Sequence, residues 1–278
     1  MSLISNISVN SSNKFKTIID DFDKEDEESK LVSNGGNNWL NNWYQEELKE
    51  QFKPLSDYSN NNIQSLNLSP KSNNNGIISQ NSKDNLVNRE LQLTSDNKPY
   101  ERWIGFYFAH DGTDNSAGIL LKDNVDNNSR VLIGIRRDTN LNSNDVPQYI
   151  VEISKTDSPN DDERDRGESN DTPVNVNNID NVDTFADLLI ARINVIADDN
   201  VSIELYKFNV SGEDLKLPQL SNIENNKICE ITESKNFVES NIITLFGRDS
   251  ETAFDTICVT NSYTRMRNIY NYDSISLL

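Results

Sequence analysis

RWIGFYFA, residues 102–109, is the densest aromatic–aliphatic run in the chain. Large aromatic and β-branched side chains suit a pleated, half-buried surface, so the run predicts a β-strand. Three further strand candidates follow at short intervals: AGILL (117–121), RVLIGIR (130–136) and QYIVEIS (148–154). The connections HDGTDNS and KDNVDNN are rich in Gly, Asp and Asn, the residues that hairpin turns select. Together these stretches predict an antiparallel meander. Gly105 and Gly134 interrupt two of the strands, which points to bulges or to close backbone approach.

Beyond the meander, residues 155–181 are polar and acidic and predict a surface loop insertion. VDTFADLLIARINVIADD (182–199) places Phe185, Leu188, Leu189, Arg192, Ile193 and Ile196 on one broad face, and predicts the principal helix, capped by Asn181. Strand candidates then resume at VSIELYKFNV (201–210), KICEIT (227–232), FVESNIITLFG (237–247) and AFDTICVTN (253–261). The expected fold class is α+β: a mostly antiparallel β domain with one main helix. A regular βαβ rhythm is missing, which argues against a doubly wound sheet.

Before Pro99 the texture differs. Residues 1–98 read as an extended, low-complexity, Asn-rich acidic arm, followed by the β-rich domain 99–278. NKFKTIIDDF has Phe15, Ile18, Ile19 and Phe22 at helical spacing, and SNGG (33–36) breaks it. The segment NNWLNNWYQEELKEQF (37–52) predicts a short amphipathic helix over 38–52. Leu40, Tyr44, Leu48 and Phe52 fall at steps of four, flanked by Trp39 and Trp43. A helix this short is marginal alone, whereas burying six large side chains contributes on the order of 1.5–3 kcal/mol each. Trp39, Leu40, Trp43, Tyr44, Leu48 and Phe52 are therefore the candidate partner-binding residues, docking on another protein or on the chain's own domain.

Composition narrows the function classes. The net charge is −19 over 278 residues. Residues 1–98 carry 10 basic and 14 acidic side chains, and residues 99–278 carry 16 and 31, so the second part holds most of the negative field. Such a field opposes nucleic-acid backbones and anionic membranes. Arg248, Arg265 and Arg267 near Tyr263, Tyr270 and Tyr272 form the one basic–aromatic concentration, read more readily as internal pairing than as a base-stacking surface. No apolar run approaches the roughly 18 residues of a membrane span, and MSLISNISVNSSNKFK lacks the charge-then-apolar order of a secretory leader. An intracellular location is expected.

Chemistry is sparse. Cys229 and Cys258 lie in apolar runs and predict buried free thiols rather than a disulfide framework. With His110 the single histidine, a closed zinc site of Cys and His is excluded by counting. His110, Asp111, Asp114 and Asn115 suit a hairpin turn better than a cation loop or a general base. No Gly-x-Ser-x-Gly elbow or phosphate-cradling loop occurs. Glycoside hydrolysis needs only two carboxylates in a cleft, and 45 acidic residues are not reduced to two by inspection. The sequence thus favours a non-catalytic protein-interaction protein, with a self-assembling structural component as the alternative and a carboxylate-based hydrolase third. It suggests a protein partner or homo-oligomer, and no cofactor, metal or small-molecule ligand.

Overall fold

The computed structural model describes residues 17–20, 44–45, 52–54, 77–79, 84–90, 101–110, 116–122, 130–136, 148–154, 164–168, 175–177, 184–196, 200–209, 216–234, 242–248 and 252–271. Five short strands come first: β1 (Ile18–Asp20), β2 (Tyr44–Gln45), β3 (Phe52–Pro54), β4 (Ile77–Ser79) and β5 (Asp84–Glu90). The meander follows as β6 (Glu101–His110), β7 (Ser116–Lys122), β8 (Arg130–Arg136) and β9 (Gln148–Ser154). Then come β10 (Arg164–Glu168), β11 (Asn175–Asn177), β12 (Thr184–Val195) and β13 (Asn200–Asn209). After a 3-10 turn at Leu220–Asn226, β14 (Lys227–Ser234), β15 (Ile242–Arg248) and β16 (Thr252–Thr260) lead into one α-helix, α1 (Tyr263–Asn271).

These strands form two antiparallel sheets. The first runs β14-β13-β12-β6-β16-β4-β3, with β1 added on β16 and β11 on β12; the second runs β10-β9-β8-β7-β15-β5-β2. The domain is mostly antiparallel β, as expected. Alternate side chains of β6, β12 and β13 in the first sheet and of β7, β8, β9 and β15 in the second point into the space between the sheets. Ile104, Phe106 and Phe108 of β6 meet Ile119, Ile133, Val151 and Leu245 of the second sheet in one core. The outer face of the first sheet is covered too. Trp103, Tyr107, Leu188, Ile190 and Tyr206 pack there against Leu217, Ile223 and the helix residues Tyr263, Met266, Ile269 and Tyr270.

That double burial explains the first correction. Residues 182–199 do not form the principal helix; 184–195 are the central strand β12. Leu189, Ala191 and Ile193 face the inter-sheet core while Leu188 and Ile190 face the covered side. A strand buried on both faces reads as an unbroken apolar run, which periodicity does not separate from a buried helix. The helix lies instead at Tyr263–Asn271, in the basic–aromatic segment near the C-terminus.

The N-terminal helices are corrected likewise. Ile18–Asp20 is a strand in register with Val259–Ile257, with Ile18 in the inter-sheet core and Ile19 in the outer cluster. Within the expected helix 38–52, Tyr44–Gln45 pairs with Asn88–Val87, and Phe52–Pro54 pairs with Ser79–Ile77. Trp39, Leu40, Trp43 and Leu48 lie outside the described residues. The expected loop 155–181 carries β10, paired with β9, and β11, paired with β12.

Close backbone approach is the reason for the strand glycines. A Cβ on Gly105 would stand 2.6 Å from Tyr270 Cε2 and 2.7 Å from Met266 Sδ, so α1 packs where a side chain is missing. Gly118 and Gly134 face each other across β7 and β8. Gly118 has φ +148°, and a Cβ on Gly134 would meet Ala117 O at 2.0 Å.

Candidate functional site

Four strands place a polar network on the outer face of the first sheet. Arg192 of β12 stands opposite Trp103 of β6 on one side and Glu204 of β13 on the other. Glu204 in turn stands directly opposite Glu230 of β14. Like charges facing across a strand pair oppose pairing. The arrangement is held by compensating groups. Arg192 Nε donates to Glu101 Oε1 at 2.7 Å and Nη1 to Glu204 Oε2 at 3.3 Å. The guanidinium lies over the Trp103 ring, 5.3 Å from its centroid. Burial works against its charge, but Glu101 and Glu204 outweigh it and hold Arg192 above its ordinary pKa.

Tyr206 joins two carboxylates. Its hydroxyl lies 2.6 Å from Glu204 Oε2 and 3.2 Å from Glu224 Oε1. Burial first, then the Glu204 hydrogen bond and charge, push the phenol well above its ordinary value, so it stays protonated and donates. Two oxygens contacted by one hydroxyl at those distances are at most about 6 Å apart. Glu204 is the more enclosed, its side chain 11% exposed, while Glu224 on the 3-10 turn is 54% exposed. Lys227 closes the group, 3.0 Å from Glu224 and 3.1 Å from Glu230. The Glu224 hydrogen bond is the main reason its ammonium is held above the ordinary pKa. Ser202 donates to Glu230 at 2.8 Å and, with Lys227, lowers that carboxyl against the effect of burial.

The residues singled out from sequence fall elsewhere. Tyr44 and Phe52 are taken up in strand pairings within the chain. His110 ends β6, its backbone paired with Phe185 and Thr252; Asp111, Asp114 and Asn115 lie outside the described residues. Cys229 and Cys258 are buried free thiols. Tyr263 and Tyr270 are spent on packing: their hydroxyls donate to Pro218 O at 2.9 Å and Thr256 O at 2.7 Å, while Arg267 Nε donates to Leu217 O at 2.9 Å. Among the described residues, no group of three or more His, Cys, Asp or Glu is placed to hold a metal ion, and no helix is long and apolar enough to cross a membrane. Sequence reasoning passed over Glu204, Tyr206 and Glu224. The one signal was the polar alternation Ser202, Glu204, Tyr206 in a strand that is otherwise apolar.

No protein-family model and no curated protein matches the chain. Solved structures resemble it at low identity. "HCR/D-Sa-GBL1/C" aligns over 73% of this chain and 44% of its own, at 9% identity and TM-score 0.43. The xylan beta-1,4-xylosidase of Bacillus halodurans aligns over 87% and 38%, at 11% identity and TM-score 0.41. The Bacteroides ovatus protein "Xyloglucan PUL GH43B" aligns over 88% and 39%, at 10% identity and TM-score 0.40. The chain spans less than half the length of each. Glycoside hydrolases recur among these likenesses. The expectation of a non-catalytic protein-binding or structural chain without a small-molecule ligand finds no counterpart in that recurrence. At these identities and scores the likeness assigns no residue a role.

Proposed function

We propose that the chain is a carbohydrate-active protein that cleaves a glycosidic bond at Glu204 and Glu224. The observation that supports this most directly is the single Tyr206 hydroxyl within hydrogen-bonding distance of both carboxylates, at 2.6 and 3.2 Å. In this reading Glu204, beside Arg192 and accepting from Tyr206, is the nucleophile at the anomeric carbon. Glu224, its carboxylate 3.0 Å from the Lys227 ammonium, takes the proton of the water that releases the glycosyl group, and the leaving oxygen is protonated from solvent. Arg192 and Tyr206 fix the nucleophile's orientation without touching the sugar.

The test is turnover by the full chain of aryl glycosides of xylose, arabinose and glucose and of the matching oligosaccharides. Glu204→Gln is expected to lower kcat about 10²–10⁴-fold, the usual scale for removing such a group, while leaving the folded spectrum intact. No turnover by the native chain across that panel, or an unchanged rate in Glu204→Gln, would overturn the assignment.

A further inference from the structure

Independently of that site, one polar contact crosses between the two sheets at the inner face. Asp187 of β12 is 1% exposed and sits on the side that carries Leu189, Ala191 and Ile193. Tyr149 of β9 in the opposite sheet, also 1% exposed, donates its hydroxyl to Asp187 Oδ2. Asp187 Oδ1 is buried and has no hydrogen-bond partner among the described residues. We infer that Asp187 is a proton-controlled latch between the sheets: with its carboxyl neutral the sheets close without a buried charge, and as it ionises that charge weakens their packing although the Tyr149 hydrogen bond itself strengthens.

The surroundings set the direction. From β13, Lys207 places its ammonium 5.4 Å from the Tyr149 ring centroid. In register beside Asp187 stand Phe108 of β6 and Asn209 of β13. His110 of β6 pairs in register with Phe185. A neutral carboxyl tolerates an oxygen without a partner in an apolar interior, whereas a carboxylate there costs heavily. Burial therefore dominates and raises Asp187 to about 6, against the hydrogen bond from Tyr149 and the charge of Lys207. With the folded value above the ordinary 3.8, the native state holds the extra proton between them. Stability from this group is full below about pH 4, falls as pH rises to about 6, and is level above.

Unfolding of the full chain by urea at intervals from pH 4 to 7.5, native beside Asp187→Asn, tests the latch. The ratio of the two folding constants is expected to change about a hundredfold across that range, because the other carboxylates cancel between the two proteins. Parallel profiles would overturn it. Should Asp187→Asn fail to fold, carboxyl carbon NMR of the native chain decides: a midpoint near 6 supports the latch, and one near 4 sinks it. Tyr149→Phe, which withdraws the stabilising donor, should move that midpoint upward; an unmoved midpoint also overturns the latch.

Discussion

At Gly105 a hydrogen stands where any other residue would drive a carbon into the Tyr270 ring and the Met266 sulfur, at 2.6 and 2.7 Å. Both obstacles are side-chain atoms, and a methionine moves more cheaply than backbone. Gly105→Ala is accordingly expected to lower the unfolding free energy by about 1–3 kcal/mol, read as a lower urea midpoint at unchanged slope. Gly134→Ala should cost more, since its obstacles are Ala117 O at 2.0 Å and Gly118 Cα at 2.7 Å, neither of which can rotate away. A Gly134→Ala protein as stable as Gly105→Ala would contradict the close crossing of β7 and β8. Both glycines were legible as places of close approach, because a glycine inside a β-favouring run has few other uses. What approaches them was not: Tyr270 is 165 residues from Gly105 along the chain.

Helix α1 is an element whose worth lies in what it covers. Its buried face of Tyr263, Met266, Ile269 and Tyr270 closes the outer side of β6, β12 and β16. The Tyr270 hydroxyl reaches the carbonyl of Thr256 at 2.7 Å. Thr256 stands at a register shift of β16 with φ +44°, which a β-branched residue rarely adopts. Tyr270→Phe leaves that buried carbonyl without its tyrosine donor and is expected to cost about 1–3 kcal/mol. It should also speed amide exchange in β16 more than in β8. Equal acceleration everywhere would mean the bond does not secure the bulge. The elements legible in sequence were those with ordinary strand chemistry, β6 through β9 and β13 through β16, where bulky runs alternate with turn residues. β12 was misread because both its faces are buried. α1 was missed because arginines and asparagines dilute a short apolar stripe. Strands of two or three residues, such as β1 to β4, have no period to read, and only their distant partners define them.

For the whole molecule, topology does what no local pattern announces: the order β14-β13-β12-β6 carries Glu230, Glu204, Arg192 and Glu101 onto one face. The candidate site was illegible for that reason, since many acids distributed along a chain acquire meaning only through strand neighbours. The same order predicts how the molecule comes apart. Cys229 lies on β14, which ends the first sheet, and is 7% exposed; Cys258 lies on β16, flanked by β6, β4 and β1, and is 0% exposed. Burial pushes the Cys229 thiol up to about 12, against a hydrogen bond from the Val151 backbone, and drives Cys258 further still. A thiol reacts as its thiolate, so neither should be modified in the closed protein at pH 8. Labelling then reports opening. A strand held by one neighbour opens at lower free energy than one held on both sides, so Cys229 should be alkylated roughly tenfold or more ahead of Cys258 under native conditions. Both should merge into one fast phase above the urea midpoint. Mass spectrometry of timed labelling separates the outcomes. Equal native rates would mean that β14 has no opening of its own and that the first sheet yields as one cooperative unit from edge to centre.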